Sequence, residues 1–305
     1  MLTAILFVIA GLVGLALGGE ALVRGAVGIA QRAGISNLVT GLVIVGAATS
    51  MPELVTSVGA ALSGSPEIAW GNILGSNIAN TLLILGGAAL VMPIVLKGSG
   101  RRDAVVALLA SLLLWALAYL GLGARWFGIA LFGALVAYIF WRLSHPRPDL
   151  EADEGDPPGW TASIVYFVIG VGVLIAGGQS LVTGAIDLAR LFNVSETVIG
   201  LTIVAVGTSL PELAASVAAA VRGKSALALG NVVGSNIFNL LLIGGVTMTI
   251  APLPIPRELI DFEFGMVAAT AVMLLGLCWL GHNISRWMGA AMLAAFGAIN
   301  VLLFI

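Results

Sequence analysis

Ten apolar runs follow one another along this chain, near residues 2–23, 38–62, 69–93, 104–121, 125–141, 161–181, 197–220, 227–251, 262–281 and 286–305. Each is about long enough to cross a hydrocarbon core of roughly 30 Å. Inside lipid a backbone N–H or C=O has no water to bond, so a spanning segment must be a helix or a strand of a closed barrel. The ten-residue alternation of barrel strands is absent, which leaves helices. The expected fold is an all-α integral membrane protein with ten transmembrane helices. A soluble core of 305 residues would carry a charged surface, yet charged residues make up 9% and apolar ones 60%, with mean hydropathy +1.11. The break inside 104–141 is the least marked, carried by Gly121 and Gly123.

The first run lacks a basic start and is followed by further spans, so it reads as a retained helix and not as a cleaved leader. Lys and Arg favour the cytoplasmic side of short loops. With the N-terminus outside, the inner connections collect Arg24, Arg32, Lys97, Arg101, Arg102, Arg142, Arg147, Arg222, Lys224 and Arg286, and the outer ones only Arg125, Arg190 and Arg257. Both termini are therefore expected outside the cytoplasm. The one evident linker, Ser144 to Trp160, is acidic and proline-rich, falls on the cytoplasmic side, and reads as a flexible connector. Cys278, the single cysteine, excludes a disulfide within the chain and reads as a small buried apolar group.

Sliding the sequence by 159 residues lays "GLVGLALGGEALVRGA" over "GVGVLIAGGQSLVTGA", "GLVIVGAATSMPELVTSVGAALSG" over "GLTIVAVGTSLPELAASVAAAVRG", and "GNILGSNIAN" over "GNVVGSNIFN", without a gap. The chain is duplicated: residues 1–143 and 161–305 are the two copies, and 144–160 joins them. Five spans per copy is an odd number, so the second copy enters the membrane from the opposite face. The expectation is two inverted five-helix repeats. Inverted repeats with interrupted helices are the usual build of secondary transporters, whose binding site lies at the repeat interface near the midplane.

Pro52 and Pro211 lack an N–H and crowd the preceding turn, so the helices are expected to open around residues 48–49 and 207–208 and free carbonyl oxygens there. Glu53 and Glu212 follow directly. An ionised carboxylate in that setting is tolerated only when paired or reached by water, and neither span holds a Lys or Arg. The partner is then a metal ion or proton from solution. With the hydroxyls of Thr49, Ser50, Thr208 and Ser209, the set is all oxygen, which suits hard ions such as Ca²⁺ or Na⁺ and poorly suits Zn²⁺ or Cu²⁺. The "GSN" segments add Ser76, Asn77 and Asn80 in one copy and Ser235, Asn236 and Asn239 in the other, with the first and last of each set on one helix face. Asn72, Asn77, Asn231 and Asn236 either line the aqueous route or tie helix to helix. No cofactor is called for.

Other features read as structural. Gly71 with Gly75, and Gly230 with Gly234, are spaced for close helix packing. Trp70, Trp126, Trp141, Trp160 and Trp287 lie near span ends and read as interfacial anchors, and His145 and His282 as surface side chains. A hydrolytic role for Ser50 or Ser209 fails because no intramembrane His or Lys stands by as base, so no enzyme is expected.

The segments "GAATSMPE" with "GNILGSNIAN", and "GTSLPE" with "GNVVGSNIFN", resemble the two alpha repeats of the calcium/cation antiporter superfamily, specifically its prokaryotic sodium/calcium exchangers, and the resemblance spans nearly the whole chain. It implies antiport of Na⁺ for Ca²⁺ by alternating access, commonly about three for one, in a prokaryotic cell membrane. Ca²⁺, Na⁺ and the lipid bilayer are the implied partners, with no nucleic acid. Glu53 and Glu212 are the implied shared ligands, helped by Thr49, Ser50, Thr208 and Ser209, with Ser76 and Ser235 at flanking Na⁺ sites and Asn80 and Asn239 completing the centre. The first and sixth helices are implied to slide across the core. Some relatives have aspartate at one or both of the positions held by Asn80 and Asn239; here both are neutral, which weakens a potassium-coupled reading. Two glutamates would leave bound Ca²⁺ formally neutral and three Na⁺ at plus one, which favours electrogenic exchange. The runner-up is proton/calcium antiport through the same glutamates; more distant is a passive cation channel, for which the repeats supply no symmetric pore ring.

Overall fold

The computed structural model describes residues 1–145, 158–193, 205–252 and 255–302; most of the 144–160 linker and the start of the 197–220 run lie outside them. The described chain is helical: α1 (Leu2–Ala33), α2 (Asn37–Thr49), α3 (Met51–Leu62), α4 (Pro66–Val91), α5 (Arg101–Tyr119), α6 (Arg125–Ser144), α7 (Trp160–Leu191), α8 (Leu210–Val221), α9 (Ser225–Ile250), α10 (Glu263–Leu280) and α11 (Arg286–Leu302). Among the described residues the one β interaction is an antiparallel bridge between Ile94 and Ile284, which joins two loops. Seven segments are long and apolar enough to cross a membrane, or eight if α2 and α3, bent by 44° at their junction, are one span. Of the remaining apolar runs, α8 shows 12 residues and α11 shows 17. The protein is a multi-pass membrane protein.

Glycine spacing fixes the longest contact. Gly11, Gly18 and Gly25 of α1 recur every seven residues, as do Gly170, Gly177 and Gly184 of α7, and the two helices cross antiparallel with these glycines between them. A Cβ at Gly14 would lie 3.0 Å from the Gly177 Cα, and one at Gly18 would lie 2.7 Å from the Leu174 nitrogen. Removing side chains lets membrane helices meet backbone to backbone, where dispersion and not hydrophobicity holds them. Both helices outrun their apolar stretches. α1 continues past Arg24 and Arg32 and ends where Gly34, at φ 67°, returns its N–H to Ala30.

α4 and α9 form the buried centre, while α1 and α7 turn most of their surface outward. This placement corrects one expectation. Trp70 is not an interfacial anchor but is 2% exposed inside α4, against Gly244 of α9. Trp126, Trp160 and Trp287 are exposed, and Cys278 is buried. Arg142 also leaves the loop assigned to it: it sits buried in the last turn of α6, where its Nε donates to Asp103 at 2.9 Å beside the Tyr138 hydroxyl at 2.7 Å.

Candidate ion site

The two proline-broken helices bring the glutamates to their positions. Ser50 (φ −79°, ψ 6°) separates α2 from α3, and Ser209 (φ −89°, ψ 4°) precedes α8. Helical geometry persists through Thr49, so the break falls at Ser50 and at Thr208–Ser209, slightly later than expected. The reason is that Pro52 and Pro211 occupy the first turn of the following helix, where no N–H partner is needed. Glu53 and Glu212 therefore lie in first turns, next to the partial positive charge of a helix N-terminus.

Thr49, Ser50, Glu53, Ser76, Asn80, Ser209, Glu212, Ser235 and Asn239 are all buried, and Thr208 is partly buried. Ser209 Oγ donates to Glu53 Oε1 at 3.3 Å and so joins the two halves. Among the described residues, Glu53 Oε2, both carboxylate oxygens of Glu212, the hydroxyls of Ser50, Thr208 and Ser235, and Asn239 Oδ1 are buried without a hydrogen-bond partner. Buried polar atoms are nearly always bonded, so a cluster of bare oxygens calls for a ligand of its own. No described Lys, Arg or His forms an ion pair with either glutamate. This donor set fits a hard cation. Ser76, Asn80, Ser235 and Asn239 make no hydrogen bond to the glutamates; Asn80 and Asn239 lie in the wide helical turns Asn80–Ile84 and Phe238–Ile243, a distortion common at functional sites.

Two asparagines outside the candidate ligands prove to tie helix to helix. Asn72 Nδ2 donates to the Glu53 backbone oxygen at 3.3 Å and to Ser57 Oγ at 2.9 Å. Asn231 repeats this with the Glu212 oxygen at 3.3 Å and Ser216 Oγ at 2.9 Å. The serines were missed in the sequence; the signal was there, since Ser57 and Ser216 stand in the same 159-residue register as the asparagines.

One side of this centre is open. A cavity of about 560 Å³ lies between α3 and α7, bounded by Met51, Pro52, Val55, Gly178, Gln179 and Thr208. On the other side α1 seats on α8: a Cβ at Gly19 would lie 3.1 Å from the Ala214 oxygen and from the Ala218 Cβ, and Glu20 pairs with Arg222. The positions equivalent to that ion pair hold Gln179 and Ser63. A second cavity, about 410 Å³, lies by the loop at Lys97–Gly100 and touches none of the candidate ligands.

The family described as "Sodium/calcium exchanger protein" matches residues 3–144 and 162–305. The chain belongs to the sodium/calcium exchanger family. CaxA of Alkalimonas amylolytica is 41% identical over 324 residues, covering 100% of this chain and 99% of that one. The sodium/calcium exchanger MaX1 of Methanosarcina acetivorans is 32% identical over 343 residues, with 98% of each covered. A solved structure of the sodium-calcium exchanger NCX_Mj, soaked with zero Na⁺ and Ca²⁺, superposes with a TM-score of 0.85 at 30% identity over 99% of both chains. The family match covers both halves and leaves out residues between 144 and 162, where the linker lies.

Proposed function

We propose that this exchanger-family protein moves Ca²⁺ against Na⁺ through one shared site of Glu53, Glu212, Thr49, Thr208, Ser50, Ser209, Ser76, Ser235, Asn80 and Asn239. The carrying observation is the pair of buried glutamates from opposite halves, bridged by Ser209 and lacking any cationic partner among the described residues. Two carboxylates there need the charge that a divalent ion, or several monovalent ones, would bring. Ca²⁺ and Na⁺ competing for the same oxygens couple their fluxes, since the site cannot hold a full set of both. Alternating access then follows if the open side and the sealed side exchange roles.

The remaining parts of the reading are consistent with this cycle. Ten spans form two inverted five-helix repeats joined by the cytoplasmic linker, with both termini outside. The cavity lies beside the first two turns of α3 and the C-terminal half of α7, so on this orientation the sealed face, bearing Arg24, Arg32 and Arg222, is cytoplasmic and the structure faces outward. With neutral Asn80 and Asn239, exchange of about three Na⁺ per Ca²⁺ moves net positive charge and responds to membrane potential. The test is ⁴⁵Ca²⁺ uptake into proteoliposomes loaded with Na⁺, against K⁺-loaded vesicles and an imposed pH gradient. Uptake is expected only with internal Na⁺, and to rise when the vesicle interior is made negative by a potassium diffusion potential. Uptake that ignores Na⁺ and follows the pH gradient would replace this reading with proton/calcium antiport.

A further inference from the structure

Asn72 and Asn231 stand in matching positions yet are bonded unequally. Within its own half each uses its amide nitrogen the same way, toward a glutamate carbonyl and a serine hydroxyl. The side-chain carbonyl is where they differ. Asn231 Oδ1 accepts from Thr49 Oγ1 at 3.3 Å, a bond between the halves, and that hydroxyl also lies 3.1 Å from the Val45 oxygen. The matching donor for Asn72 is Thr208, whose buried hydroxyl makes no bond to Asn72 and stands beside the Glu53 carboxylate instead. Asn231 is 1% exposed, whereas Asn72 is only partly buried.

The made bond continues a tight seam. There the backbones at Gly230 and Gly234 of α9 meet Leu38 and Leu42 of α2, close enough that an added Cβ would collide. The unmade bond faces the cavity, which Thr208 lines, and the Gly75 that matches Gly234 is exposed. So the threonine bond is present in the tight seam and absent beside the cavity.

We propose that Asn72 and Asn231 are positioning residues that take the cross-half threonine bond in alternation: Thr49 to Asn231 while the cavity beside Thr208 is open, and Thr208 to Asn72 once it closes. Each asparagine also holds the backbone oxygen of a glutamate, so the same amide links the gate to the turn that carries the carboxylate. This rests on the alternating-access reading above.

The test reads cavity opening directly, through maleimide labelling of Val55→Cys in reconstituted protein; Val55 is 71% exposed on the cavity wall, and native Cys278 is fully buried. Without Na⁺ or Ca²⁺, so that ion ligation does not enter, Asn231→Ala is expected to lower the open-to-closed ratio about fivefold, the usual net worth of one hydrogen bond. Asn72→Ala should leave it unchanged or raise it. Thr49→Val and Thr208→Val form a second pair that keeps both asparagine clamps, and they should differ in the same direction, which covers the case where an asparagine variant fails to fold. Equal effects in the two halves, or a larger fall from the Asn72 or Thr208 change, would overturn the proposal and leave the asparagines as simple clamps. In parent Val55→Cys protein, labelling that ignored added Na⁺ and Ca²⁺ would instead sink the alternating-access reading itself.

Discussion

Helices α3 and α8 come from matching stretches of sequence, each beginning at a Pro-Glu pair, yet they meet the long helices differently. α8 seats on α1 through Gly19 and is fastened at its end by Glu20 and Arg222. α3 stands away from α7 across the 560 Å³ cavity: a Cβ at Gly178 would meet no α3 atom among its nearest neighbours, only Leu210 and Pro211 of α8 at 3.7–3.8 Å. Nearly one sequence pattern thus supports a closed and an open packing in a single molecule. Packed interfaces are bistable and not continuously deformable, so under the proposed alternating access the two packings would be the endpoints of a rocking motion.

The comparison yields expectations of decreasing size. The largest concerns what the halves share. Glu53→Gln and Glu212→Gln should each reduce Na⁺-dependent ⁴⁵Ca²⁺ uptake at least about a hundredfold, because removing one charge from a buried cluster costs several kcal/mol and 1.4 kcal/mol is a factor of ten. Retention of substantial uptake in either variant would break the equivalence of the two glutamates.

A smaller effect separates the halves. Gly234→Ala would press a Cβ onto the Leu42 backbone in the sealed seam, while Gly75→Ala would meet no described atom within 4 Å. Overpacking costs about 1–3 kcal/mol, so thermal unfolding in detergent should fall by several degrees for Gly234→Ala and hardly move for Gly75→Ala. Similar melting of the two variants would show the seam to be looser than described.

The smallest effect lies in the ion pair present on one side only. Glu20 and Arg222 keep 53% and 33% of their side-chain surface exposed, so solvent screens the pair and Glu20→Gln should shift the balance between states about two- to threefold at most. The shift should vanish at high ionic strength. Joining Gln179→Glu to Ser63→Arg should push the balance the other way, and labelling of Val55→Cys at low and high salt measures both.

Much of the candidate site's geometry was legible in the sequence because it is set locally. A proline followed by a glutamate in an apolar run names both the break and the charge, and the 159-residue register shows that it occurs twice. Helix extent was less legible: hydropathy falls at Arg24, but backbone hydrogen bonding continues to Ala33 because arginine is a good helix former. Trp70 misled for a related reason. Its place at the edge of an apolar run suggested an interface, whereas α4 is enclosed by other helices and never presents that edge to lipid headgroups. Residues 202 apart meet in the Glu20–Arg222 pair, and nothing in either local sequence announces it. The glycine spacing at 71–75 and 230–234 is the same in both halves, yet only the second pair is packed against described atoms.

The most direct test of alternating access compares Val55→Cys with its repeat mate Ala214→Cys, one on the open cavity and the other against Gly19 in the seal. Both would be labelled in the same membranes, across a titration of Na⁺ and Ca²⁺, with reagent supplied to each face in turn. The account predicts reciprocal behaviour, in which conditions that protect residue 55 from one face expose residue 214 to the other. Labelling that rises and falls together at the two positions, or from a single face throughout, would contradict it.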